Sequence, residues 1–129
     1  MEDFIVWKKG SPAGQNRYSP YRQRIAILVN DRGEVLFPIT TFEAIGNPTG
    51  ILCGTDTQGN IRFVASKMGG DSYKVQGDDS PNCRHISCLN MTKELGLRPL
   101  KKKDVFLYKA TIKDGKIILV NPRQKPEVI

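Results

Sequence analysis

Histidine, tryptophan and cysteine are all scarce: the 129 residues include one His, one Trp and three Cys. A single histidine, His85, excludes a ribonuclease that passes protons between two imidazoles. Cys53, Cys83 and Cys88 are odd in number and form no CxxC pair, so neither a disulfide framework nor a common zinc module is encoded. Reduced, buried thiols are the expectation. No apolar run approaches the roughly 20 residues of a membrane-spanning helix. The opening "MEDFIVWKKG" also lacks the basic start and long apolar region of a secretory signal, so a cytoplasmic protein with no membrane contact is expected. "MGGD" is neither a phosphate-binding Walker loop nor a dinucleotide fingerprint.

Acidic residues are the minority. Twenty Lys and Arg stand against thirteen Asp and Glu, a formal charge of +7. That surplus attracts polyanions over about a Debye length and makes RNA or single-stranded DNA the first expected partner. A phosphorylated small molecule or an acidic protein surface comes next. The length fits a single compact domain over residues 1–129.

Two-residue hydrophobic periodicity dominates the chain. A short strand is expected at Phe4 to Trp7, followed by a basic loop or arm at residues 11–24, "SPAGQNRYSPYRQR". "IAILVNDRGEVLFPIT" reads as a hairpin of Ile25 to Val29 and Val35 to Ile39, with Gly33 supplying the positive φ of its turn. Val35, Phe37 and Ile39 share one face and Leu36 the other, while Pro38, lacking a donor, points to a sheet edge or bulge. A second pair, Gly50 to Cys53 and Ile61 to Ala65, is joined by "GTDTQGN". The Gly- and Asp-rich stretch Ser66 to Ser80 reads as a long connection outside the core. A last hairpin spans "DVFLYKATIKDGKIILV", with Phe106, Tyr108, Ala110 and Ile112 on one face. Residues 121–129, "NPRQKPEVI", read as a flexible tail.

One helix is predicted, Pro81 to Leu95, with Ser80 as N-cap, Pro81 at the first helical position and Gly96 as the stop. Its apolar sector holds Ile86, Cys88, Leu89 and Leu95, and His85 and Thr92 fall within it. The fold class is therefore mostly β, α+β: a small antiparallel sheet or a partly closed OB-like barrel with one helix.

Two basic clusters are the binding candidates. In the arm, Arg17, Arg22 and Arg24 offer guanidinium forks to phosphate, and Tyr18 and Tyr21 offer rings for base stacking. After the helix, Arg98, Lys101, Lys102 and Lys103 concentrate positive charge. If the two clusters share a surface with a tyrosine exposed, a non-enzymatic protein binding RNA or single-stranded nucleic acid follows.

Three alternatives use the same residues. In a protein-interaction adaptor the tyrosines are anchors and the arginines a rim, and oligomerisation is compatible with such a surface. A nucleotide-binding or sequestering protein would present Arg22, Arg24 and Lys101 to phosphate. A ribonuclease or nucleotide phosphodiesterase would use His85 with Glu34 or Glu43, and Arg22 or Arg24 for phosphoryl charge. Against that last reading, His85 within an apolar sector suits packing. Asp71, Asp78 and Asp79 lie in a stretch that does not fix converging oxygen geometry, so no metal and no cofactor is expected.

Overall fold

The computed structural model describes residues 17–129; the strand expected at Phe4 to Trp7 and the first part of the arm lie outside them. The chain runs β1 (Ala26–Asn30), β2 (Glu34–Pro38), α1 (Ile39–Ala44), β3 (Gly50–Thr55), β4 (Ile61–Ser66) and β5 (Tyr73–Lys74). It continues through β6 (Cys83–Ser87), α2 (Leu89–Glu94), β7 (Val105–Lys113), β8 (Ile117–Val120) and β9 (Glu127–Val128). The strands are ordered β5-β3-β4-β8-β7-β1-β2-β6, with β9 beside β7 and every pairing antiparallel. Just beyond β5, Gln76 exchanges two backbone hydrogen bonds with His85 of β6, of 2.8 and 2.9 Å, which joins the two ends of that path. The result is a nearly closed, OB-like antiparallel barrel.

Closure follows from the alternation of side chains. Ile27 and Val29 of β1, Val35 and Phe37 of β2, Ile51, Ile61, Phe63, Ile86, Tyr108, Ile118 and Val120 fill the interior. The Phe37 and Phe63 rings meet edge to face with centroids 5.5 Å apart, an arrangement that the ring quadrupoles favour. The opposite faces of β1, β2, β6 and β7 are also apolar, carrying Ala26, Leu28, Leu36, Cys83, Val105 and Leu107. Tyr18, Tyr21 and Ile129 cover this outer cluster, so β1 is buried on both faces.

Turn chemistry sets the first and last hairpins. Gly33 adopts φ 77°, and the Asn30 carboxamide oxygen accepts from the amides of Arg32 and Glu34 at 3.1 and 3.0 Å. This Asx arrangement satisfies the turn amides locally. In the last hairpin Asp114 and Gly115 both take positive φ, 56° and 65°, as a right-twisted two-stranded ribbon requires.

Several expectations are corrected. Within the helix expected from Pro81 to Leu95, Cys83–Ser87 is a strand and only Leu89–Glu94 is helical. Cys, His, Ile and Ser are indifferent helix formers, and the edge of β2 offers unsatisfied backbone groups that Cys83–Ser87 pairs with along its whole length. Ser80 and Pro81 are accordingly not its cap, and His85 lies on a strand. Gly96 does end the helix: at φ 67° it places its own amide on the Lys93 carbonyl and the Leu97 amide on that of Thr92.

Pro38 is not at a sheet edge. It is the last residue of β2, paired with Cys83, and turns the chain into α1, a helix that no pattern in the sequence announces. Ile39 starts that helix instead of extending the strand. The Ser66 to Ser80 connection contains β5, with Tyr73 and Val75 packed on the core. Residues 121–129, expected as a flexible tail, carry β9, whose Glu127 and Val128 pair with Leu107 and Phe106. Two short helices after the arm thus replace the single one expected.

Candidate nucleic-acid interface

The described part of the arm, residues 17–24, lies across the outer sheet face, from the end of β1 back toward its start. Pro20 sets the 3-10 turn Ser19–Tyr21, where the Tyr21 amide bonds the Tyr18 carbonyl and the Arg24 amide bonds that of Tyr21. Both tyrosines are half-buried on the outer apolar cluster. Burial raises the Tyr18 hydroxyl above its ordinary pKa, while the adjacent Arg17 guanidinium pulls the other way. Part of each ring that a protein adaptor would use as an anchor is therefore spent on the barrel itself.

At the end of β1 the arm meets the loop that follows α2. Asp31, in the β1–β2 turn, ties this region together: its carbonyl accepts from the Arg98 guanidinium at 3.1 Å, and its carboxylate accepts from the Lys103 amide at 3.3 Å. Lys103 holds φ 69° there, a conformation that a non-glycine residue adopts only when its surroundings enforce it. Arg17, Tyr18, Arg32 and Lys103, with Asp31 and Asp104, line an open cleft of about 240 Å³. Lys101 and Lys102 are exposed on the same loop.

Arg17 and Tyr18 of the first cluster are thus brought together with Lys103 of the second. Tyr21, Arg22 and Arg24 are not among the residues lining this cleft. Arg22 is exposed and its carbonyl accepts from the Thr40 amide of α1, while Arg24 pairs with Glu127 of β9 at 3.0 Å. Thr41 holds this far end of the arm: its hydroxyl donates to the Arg24 carbonyl at 2.6 Å and accepts from the Ala26 amide at 3.0 Å. The cation absent from the sequence-based site is Arg32. Its signal was its place in a recognisable hairpin turn, but which loop that turn faces is a property of the closed barrel.

His85 and Glu34 do approach each other, with Nε2 and Oε2 3.6 Å apart. Glu34 Oε1 also accepts from Asn30 at 2.7 Å and Arg32 at 3.1 Å, so the nearby cation is Arg32, not Arg22 or Arg24. On the other side of the imidazole stands Gly77: a methyl group there would lie 3.1 Å from Nδ1. The ring is wedged between Glu34 and the barrel seam, an arrangement suited to holding the seam. Glu43 is exposed on α1.

The three thiols are apolar fillers. Burial pushes Cys88 up to about 12, and raises Cys53 and Cys83 as well, so all three remain thiols near neutrality. Among the described residues no three His, Cys, Asp or Glu side chains converge as a metal site would need, and no helix is long and apolar enough to cross a membrane. Compared with protein-family models, with curated proteins and with solved structures, the chain matches none.

Proposed function

We propose that this protein binds RNA or single-stranded DNA without catalysis, along the basic end of its barrel. The observation that carries this reading is the convergence of Arg17, Arg32 and Lys103 with Tyr18 around one open cleft. Arg98, Lys101 and Lys102 extend the positive loop beside it, and Asp31 and Asp104 are the cleft's carboxylates. A small, open site lined by three cations suits a phosphate backbone running across it better than an enclosed small molecule.

Arg17, whose Nη2 donates to the Ile129 carbonyl, and Arg32, whose Nη2 donates to Glu34, would engage phosphate oxygens through their remaining N–H groups, and Lys103 as a point charge. Tyr18 can offer a base only the part of its ring not spent on the outer sheet cluster. Stacking is therefore secondary, and Tyr21 plays an anchoring part. Binding of this kind is sequence-tolerant and salt-dependent, since bases contribute little to it.

Fluorescence anisotropy with mixed-sequence RNA and DNA 12-mers, titrated at several salt concentrations, tests the proposal. Three phosphate contacts predict a slope of log K against log salt of about −2, at roughly −0.7 per contact. Arg17→Glu with Lys103→Glu should reduce the slope by more than half, with the circular dichroism spectrum and melting temperature retained. No binding at low salt, or binding unchanged in the folded double variant, refutes the reading.

A further inference from the structure

A second and larger cleft, of about 680 Å³, opens at the seam where β5 runs on toward β6. It shares no residue with the basic cleft. We propose that it binds a free nucleoside monophosphate, a flat heteroaromatic base joined through a ribose to one phosphate. This inference is independent of the nucleic-acid reading.

The walls are pre-built. The Val75 amide bonds the Thr49 carbonyl at 3.2 Å, and the Met68 amide bonds the Thr49 hydroxyl at 3.1 Å. These bonds tie the loop after α1 to both sides of the 66–78 segment, while the reciprocal Gln76–His85 pair holds the far side to β6. At Gly50 a methyl group would lie 2.6 Å from the Lys67 carbonyl oxygen, so close approach of these two backbones depends on glycine. A cleft held by strand-type bonds binds with little ordering cost.

The lining divides by chemistry into three parts. Met68, 60% exposed, and Val75 supply apolar surface, and buried Phe42 also lines the cleft. A thioether beside an aromatic ring is a favourable contact. Lys74 and Arg84 supply positive charge against the single carboxylate of Asp78, which selects an anion. Arg84 is oriented in advance, because its Nη1 donates to the carbonyls of Ser80 and Cys83. Asn47 and Gln76 also line the cleft, and a carboxamide carries paired donors and acceptors of the kind that read a base edge. A cleft of this size accommodates a ligand of nucleotide dimensions. Inorganic phosphate would leave the apolar wall unused, and a nucleoside would leave both cations unused.

Isothermal titration calorimetry of the full chain with the four ribonucleoside 5′-monophosphates tests this, with the matching nucleosides and inorganic phosphate as separate arms. At least one monophosphate should bind with a stoichiometry of one and at least tenfold tighter than its nucleoside or phosphate alone. Lys74→Glu, on an exposed side chain that the fold does not need, should weaken that binding about tenfold or more, as loss of a charge-assisted contact does. Arg84→Lys should weaken it too. Arg17→Glu with Lys103→Glu should leave it unchanged, so failure of the polymer reading and failure of this one are separable. No saturable binding by any monophosphate, equal binding of inorganic phosphate, or an unaffected Lys74→Glu variant overturns the proposal.

Discussion

Replacing Gly33 by alanine tests how the basic end is built. Gly33 holds φ 77°, which costs an L-residue about 1–2 kcal/mol. The added methyl would also stand 2.6 Å from the Leu89 Cα and 2.9 Å from the Thr92 hydroxyl oxygen. The first of these is backbone, so relief requires moving α2 or the turn, and overpacking of that kind adds about 1–3 kcal/mol. The expected loss is therefore about 2–5 kcal/mol, a large share of the ~5–15 kcal/mol typical of a domain. Gly115→Ala is the matched control: its φ is 65°, but a methyl there meets nothing within 4 Å, so it should lose only the conformational part. Urea unfolding followed by circular dichroism measures both. The two variants differ by the overpacking part alone, so with a slope of about 1–3 kcal/mol per molar their midpoints should differ by about 0.3–3 M. Equal midpoints would refute the claim that the first turn is packed against α2. Because Arg98 and Lys103 bond Asp31 in this same turn, the loosened variant should also lose oligonucleotide affinity, whereas Gly115→Ala should not.

Thr41→Val removes both the bond to the Arg24 carbonyl and the acceptor of the Ala26 amide at a fully buried site, and should destabilise by about 2–3 kcal/mol in the same urea assay. Tyr108→Phe leaves the buried Leu97 carbonyl without its 2.9 Å donor and should lose about 1–3 kcal/mol, read from the thermal midpoint. Glu127→Gln breaks only the exposed pair with Arg24 and should shift stability by less than about 1 kcal/mol, with a salt dependence to match. Cys88 has an ordinary value of 9.0 but about 12 in the fold, so the unfolded chain releases its proton first as pH rises. The Cys88 contribution should be level below about pH 9 and be lost between there and 12, so stability should fall over that range, by less in Cys88→Ala. An unchanged alkaline limb in that variant would remove Cys88 from the account.

The strand pairs were legible because their information is local. Val35 and Phe37 alternate with Leu36, Gly33 and Gly115 sit where positive φ is needed, and Gly96 marks a helix end in the structure as in the sequence. The segment from Pro81 to Ser87 misled for an equally physical reason. Its capping residues describe what a free segment would prefer, whereas its conformation is decided by the open edge of β2, distant in sequence and offering a full row of backbone partners. The short α1 and β5 gave too few residues for any period to register.

Basicity and the clustering of Arg17, Tyr18 and Lys101 to Lys103 are properties of the sequence itself, as is the predominance of β structure. Their grouping is not. Lys103 reaches Arg17 and Tyr18 because β7 and β1 are neighbours, and Arg32 joins them because the β1–β2 turn lies at the same end. Arg22 and Arg24, only a few residues along the arm, are carried away to α1 and β9. The cleft lined by Lys74 and Arg84 has no sequence signature at all. It exists only where the two ends of the strand order meet, since long-range pairing brings together residues whose separation along the chain carries no record of it.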